Sequence, residues 1–283
     1  MTFAASITAL GLVQAGLVAL PAGSSAPGWL VGFGSRWWAL IPALSIVVVI
    51  GVVNFCSDSA TALTYLALVA VPPLAAASLG WLVHGARPGW ALAAVPLFAL
   101  AWAAKGSLAG DTAALALSGL ACVALGWLLV SVVPALWLRL GVYAMATIDA
   151  WLVATELLQG PNSVLSAAAP AGDLPKLQVV EFGAARMGFG DLFIAALVGC
   201  LLAQPPADGS QSRRIGRFRS RRQWVGAWLV AGLALSFDLL FFAVDTLPAT
   251  VPVAVALAIV TRSTLGDGRT ASGRSGLAER AQL

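Results

Sequence analysis

Charge is scarce in this chain. Asp, Glu, Lys and Arg make up 10% of its 283 residues, while 60% are hydrophobic and the mean hydropathy is +0.91. An ordinary soluble domain carries roughly 25% charge, so the shortage excludes a water-exposed globular protein. Histidine is almost absent: His84 is the only one. The three cysteines, Cys56, Cys122 and Cys200, are far apart in apolar sequence. Neither metal-ligand nor disulfide spacing exists, which excludes a zinc peptidase and leaves the cysteines as small buried hydrophobes. No Lys or Arg precedes the first apolar segment, although it ends in Leu20-Pro21-Ala22-Gly23. A secretory signal usually begins with basic residues, so this segment reads as a retained helix. Internal repeats and a separate soluble domain are also lacking.

What is present is apolar sequence in lengths that fit a bilayer. A span needs about 20 apolar residues, and nine segments read as spans, at 3–20, 37–55, 61–83, 90–104, 112–132, 136–158, 179–203, 224–244 and 248–261, the fourth and ninth of them short. Eight remain if the first is cleaved. The break between the fifth and sixth rests on Pro134 and Arg139. The expected fold is all-α, a polytopic membrane protein with nine transmembrane helices. It forms one transmembrane domain over 1–262 and a disordered cytoplasmic tail over 263–283, rich in Gly, Ser, Arg and Thr.

Basic residues set the orientation. Arg213, Arg214, Arg217, Arg219, Arg221 and Arg222 crowd the 204–223 connection, and Arg262, Arg269, Arg274 and Arg280 follow the last segment. Short Arg-rich loops stay cytoplasmic. Nine spans then put the N-terminus outside and the C-terminus inside, with Arg36, Arg87 and Arg139 also cytoplasmic and Lys105 and Lys176 opposite. The Arg cluster reads as a topogenic loop on anionic lipid, and nucleic acid is not an expected partner. Trp29, Trp37, Trp38, Trp90 and Trp224 lie near segment ends, where indoles anchor at the interface. They imply no cofactor. The Arg-rich, Lys-poor and Ala-rich composition points to a GC-rich prokaryotic genome, hence to the cytoplasmic membrane.

Two acids interrupt the apolar sequence. Asp149 lies within 140–158, and Asp191 closes Gly188-Phe189-Gly190-Asp191 in a run otherwise free of charge. A charge at bilayer depth costs at least about 2.5 to 3.5 kcal/mol on insertion scales, so such residues usually face a bundle interior and act. Counting from Arg139, Asp149 lies about 15 Å deeper along a helix, and Asp191 lies a similar distance from 179, so their levels can coincide. Two adjacent carboxylates cannot both ionise easily; one serves as base on water and the other as acid. Gly188 and Gly190 lower helix propensity and let a second backbone approach. By itself a Gly-x-Gly-Asp string is also what helix packing produces.

The longer segment Met187-Gly188-Phe189-Gly190-Asp191-Leu192-Phe193-Ile194-Ala195-Ala196-Leu197-Val198-Gly199 closely resembles the second active-site segment of the presenilin and signal peptide peptidase family of intramembrane aspartyl proteases. Asp149-Ala150-Trp151-Leu152-Val153-Ala154 with Gly160-Pro161 is similar to the first, and Leu247-Pro248-Ala249-Thr250-Val251-Pro252 to the Pro-Ala-Leu motif that opens the last helix. The resemblance implies a catalytic part over 135–262, catalytic roles for Asp149 and Asp191, and contacts to an unwound substrate from Gly188, Phe189, Gly190, Pro248, Ala249 and Thr250. It implies neither metal nor cofactor. Ile148 stands where the family has Tyr, and Thr250 where it has Leu. The short connection between the acids and the deduced orientation resemble the signal peptide peptidase branch, which implies transmembrane-helix or remnant signal-peptide substrates with cytoplasmic N-termini.

Other acids invite weaker readings. Asp238 is balanced between a hydrogen-bonded structural partner and a modulator of active-site water; Glu156 reads as an interfacial charge, Asp245 as a cap on the Pro248 break and His84 as a loop residue. A prepilin-type peptidase also uses a Gly-x-Gly-Asp acid, but usually with Lys-Leu after it, where this chain has Leu192-Phe193. A proton-coupled transporter could use paired acids, but such folds often carry repeats and broken helices in both halves. Alkaline phosphatase fused after Arg262 is expected to be inactive in a bacterial host; strong activity would reverse the orientation.

Overall fold

The computed structural model describes residues 2–23, 59–155, 174–204, 212–240 and 248–262, together with Leu44, Ala168 and Pro170. Among them are eight α-helices and one β-hairpin. In chain order they are α1 (Phe3–Ala19), α2 (Ser59–Ala77), α3 (Ala94–Ala103), α4 (Leu108–Val132), α5 (Ala135–Ala154), β1 (Val179–Phe182), β2 (Ala185–Gly188), α6 (Phe189–Ala203), α7 (Ser212–Leu240) and α8 (Thr250–Arg262). A π-turn, Ser78–Leu82, extends α2, and a 3-10 turn, Pro88–Ala93, leads into α3.

Local chemistry sets several boundaries. The Thr2 hydroxyl accepts from Ala5 N–H at 3.4 Å, capping α1, and the Ser107 hydroxyl accepts from Gly110 N–H at 3.2 Å, capping α4. Asp111 follows in the first turn of α4, where the helix dipole favours negative charge. At the far end Val133 is extended, as a residue preceding proline tends to be, and Pro134 starts α5.

The helices sort into a core and a rim. In α6 every residue from Ile194 to Ala203 is buried, and most of α4 is too, whereas α2 and α5 leave most of their apolar surface outward. A helix apolar on all sides belongs inside a bundle. α6 touches α4, α1, α7, α5 and β2, while α1 runs along α7 and α4 also carries α2 and α3. Glycine lets two of these contacts close. A Cβ on Gly199 would lie 2.7 Å from the Leu17 and Val18 carbonyl oxygens of α1, and one on Gly126 of α4 would lie 3.1 Å from the Leu197 Cα of α6. Gln223 of α7 adds a polar tie, donating from Nε2 to Pro21 O at 2.7 Å and to Gly199 O at 3.4 Å.

The outer surface is apolar. Val69, Leu92, Trp228 and Leu239 are each at least 70% exposed, more than water-facing surfaces usually tolerate in bulk. Three helices, Ala60–Leu82, Leu108–Val132 and Ala135–Ala154, are long and apolar enough to cross a membrane; Phe3–Ala19, Pro88–Ala103, Phe189–Ala203 and Thr250–Arg262 are apolar but shorter. The fold is predominantly helical and compatible with a membrane protein. The expected segment 37–55 and the tail 263–283 lie outside the described residues.

Two segments differ from the hydropathy reading. The first half of 179–203 is not helix: it forms the antiparallel hairpin β1–β2, in register Val179 with Gly188, Val180 with Met187, Glu181 with Arg186 and Phe182 with Ala185. Gly183 turns it at φ 61°, a left-handed conformation that costs glycine little. The Arg186–Glu181 pair at 3.1 Å spans the strands. The turn is held from two sides, because Gly183 N–H donates to Asp111 Oδ2 at 3.3 Å and Ala184 N–H donates to the Ser6 hydroxyl at 3.2 Å. Second, the Arg-rich connection is helical from Ser212, so α7 runs roughly 43 Å at 1.5 Å per residue. Arginine is a good helix former, and the stretch from Ser212 to Arg222 holds no proline, its one Gly216 being outweighed by six arginines.

These contacts set a stability test. Gly199→Ala must push α1 away and is expected to cost about 1 to 3 kcal/mol, lowering the thermal midpoint in detergent. Gly16→Ala, with nothing within 4 Å of its new methyl, is expected to hold or raise it. Equal midpoints would contradict the close packing of α1 on α6.

Candidate active site

α5 places Asp149 by helical period. Leu138, Val142, Met145 and Ala146 are its buried residues, and Asp149 falls three and four residues beyond the last two, on the same stripe. Trp151 points away, 66% exposed. The acid is therefore carried on the inward face of a rim helix, and it is half-buried.

Asp191 is placed by a strand-to-helix junction. β2 ends at Gly188, α6 begins at Phe189, and Asp191 sits in the first turn, with Oδ2 accepting from Gly188 N–H at 3.2 Å. This is the backward half of a capping box; Gly188 has no side chain to supply the other half. A Cβ at 188 would come within 3.3 Å of that same oxygen, so the glycine leaves the carboxylate room. The expected mid-helix position of Asp191 is replaced by a helix start, where amide groups and the helix dipole favour a carboxylate. Asp191 is half-buried, like Phe189 and Gly190, and Gly188 is exposed.

The two acids come from helices that touch, α5 and α6. Gly190 helps set the approach, because a Cβ there would rest 3.6 Å from Met145 Cε, one helical turn before Asp149. A third element joins them at the start of α8. The Thr250 hydroxyl donates to Asp149 Oδ2 at 2.6 Å. Just before it, Val251 N–H donates to Pro248 O at 3.3 Å and Gln14 Nε2 of α1 donates to Ala249 O at 3.5 Å. Pro248 and Ala249 are half-buried; Thr250 is 2% exposed.

Asp149, Asp191, Gly188, Gly190 and Thr250 thus gather at one place, with Phe189, Pro248 and Ala249 adjoining them in the chain. Asp238 does not join them through any hydrogen bond: it accepts from the Thr8 hydroxyl at 3.2 Å, linking α7 to α1, which favours its structural reading. Cys122 and Cys200 are buried free thiols whose sulfurs donate to Phe189 O and Val123 O at 3.8 and 3.7 Å. Among the described residues no cluster of His, Cys, Asp and Glu could hold a metal ion. Glu156, Asp245 and Cys56 lie outside the described residues. Sequence reasoning passed over Gln14, although a lone amide in an apolar helix was a signal, and it gave Thr250 only a substrate contact.

Chemically, the site offers two carboxylates on separate helices, a hydroxyl donor to Asp149 and a backbone donor to Asp191, and a partly open surface beside β2. That set can exchange protons with a water molecule. Compared with family models, with curated proteins and with solved structures, the chain matches none.

Proposed function

We propose that the chain is an intramembrane aspartyl endopeptidase, similar to the signal peptide peptidase branch of the presenilin family. The observation that carries this reading is that Asp149 and Asp191 are borne by two helices in contact, α5 and α6, with Gly190 of α6 against Met145, one turn before Asp149, and Gly188 leaving the second acid room. A protease that acts inside a bilayer must unwind its substrate, since amides within a helix are shielded. β2 supports such a step: its outer edge pairs no other strand among the described residues, and it leads directly into Asp191. An exposed strand edge binds an extended peptide through main-chain hydrogen bonds.

The reaction follows from two carboxylates and one water. One carboxylate, unprotonated, takes a proton from water as the oxygen attacks the scissile carbonyl; the protonated partner gives its proton to the carbonyl oxygen, and a tetrahedral diol forms. The diol collapses as a proton passes to the amide nitrogen and the C–N bond breaks, releasing a carboxylic acid and an amine. General acid and base steps of this kind each contribute about 10² to 10⁴ in rate. Gly188, Phe189, Gly190, Pro248 and Ala249 line the approach for the unwound segment. In this reading 1–262 is the membrane domain with its catalytic part at 135–262, the N-terminus lies outside the cytoplasmic membrane, and the nine spans, the Arg-rich start of α7 and the tail after Arg262 follow the orientation deduced from basic charge.

The test is cleavage. Protein purified in detergent is expected to release fragments from a transmembrane peptide, and Asp149→Asn and Asp191→Asn are each expected to fall by at least about a hundredfold. Cleavage by either variant at the wild-type rate excludes the pair. A wild type that cuts nothing but moves protons across vesicles with a solute would favour a transporter.

A further inference from the structure

Thr250 stands where the family that this chain resembles has leucine, a side chain with no hydrogen-bonding group. Here the side chain has a hydroxyl, and its position is defined: Oγ1 lies 2.6 Å from Asp149 Oδ2. At 2% exposure Thr250 is closed to a substrate side chain. The residue expected from sequence to hold substrate is turned onto an acid instead.

The frame behind it is fixed as well. Thr250 is the first residue of α8, so its side chain is set by the start of that helix. The preceding carbonyl, Ala249 O, is held at 3.5 Å by Gln14, itself 2% exposed in α1. Asp149 is thereby tied through Thr250 to α8 and through Ala249 to α1, while α5, its own helix, makes few contacts with α6. A carboxylate on a rim helix would otherwise turn about its own side-chain bonds and lose register with Asp191.

We propose that Thr250 is a positioning residue, whose hydroxyl holds the Asp149 carboxylate in the orientation that faces Asp191. The proposal rests on the proteolytic reading above. Acting through Asp149, Thr250 affects the chemical step and leaves substrate affinity alone, because a substrate that does not touch residue 250 does not sense its side chain.

Substitutions separate the hydroxyl from its shape. Thr250→Val keeps the shape and loses the donor; Thr250→Ser keeps the donor and loses a methyl. Positioning predicts that Thr250→Val lowers kcat roughly tenfold to a hundredfold, as loss of a hydrogen bond to a charged group does, with KM little changed, and that Thr250→Ser keeps most of the rate. If packing alone mattered, Thr250→Val would outperform Thr250→Ser; if Thr250 held substrate, KM would rise. Either result overturns the proposal. A second reading does not need activity. In protein labelled with ¹³C-aspartate, the infrared carboxyl band that disappears in Asp149→Asn is expected to shift in Thr250→Val, or in Thr250→Ala should the valine variant fail to fold, and to stay in place in Thr250→Ser. An unmoved band in the hydroxyl-free variants shows that the contact is not made and ends the proposal. Absence of cleavage by the wild type, with the band shifting as expected, would instead overturn the proteolytic reading and leave the contact standing.

Discussion

A carboxylate among apolar helices must find its hydrogen-bond donors in the protein, and that requirement organises this molecule. Three such acids among the described residues meet their donors where two elements join. Asp149 of α5 meets Thr250 at the start of α8; Asp191 of α6 meets the amide of Gly188 at the end of β2; Asp238 of α7 meets Thr8 of α1. Buried polar groups without partners cost several times what a made hydrogen bond returns. The acids therefore mark junctions, and the junctions fix how the helices sit.

The scaffold beneath them is close-packed. α6 is enclosed by α4, α1 and α7, and glycines at 126 and 199 bring backbones together where ordinary side chains would hold them apart. Packing of this sort is the main source of helix association when lipid removes the hydrophobic contrast. Asp191 is anchored on the most enclosed helix of the bundle, at its first turn, where the hairpin meets it. Asp149 comes from a helix that keeps most of its surface outward. One acid is thus held by its own helix, and the other by what reaches across to it.

Much of this was legible in the sequence and some was not, for physical reasons. Hydropathy located α1, α2, α4 and α5 to within a few residues, because a membrane-length apolar run has few alternatives to helix. Pro134 marked the one break that hydropathy blurred. The hairpin was hidden because Val179, Val180 and Phe182 are as apolar as any helix segment; the turn signal at Gly183 and the opposed charges Glu181 and Arg186 were present, but average hydropathy does not read alternation. The helical start of α7 was missed by treating an Arg cluster as a loop, when charge sets the side of the membrane and not the backbone conformation. Asp149 and Asp191 stood out because a charge is conspicuous in apolar sequence. Gln14 did not, and Thr250 was read only as a substrate contact, since a neutral polar residue reveals its role only when its partner is seen.

The central claim is that Asp149 and Asp191 share one site, and proximity tests it most directly. With Cys56, Cys122 and Cys200 replaced by Ala, cysteines at 149 and 191 should be joined within one chain by a short bifunctional thiol reagent in membranes, as should cysteines at 149 and 250. Joining of 149 to 250 but never of 149 to 191 would place the two acids apart and contradict the account.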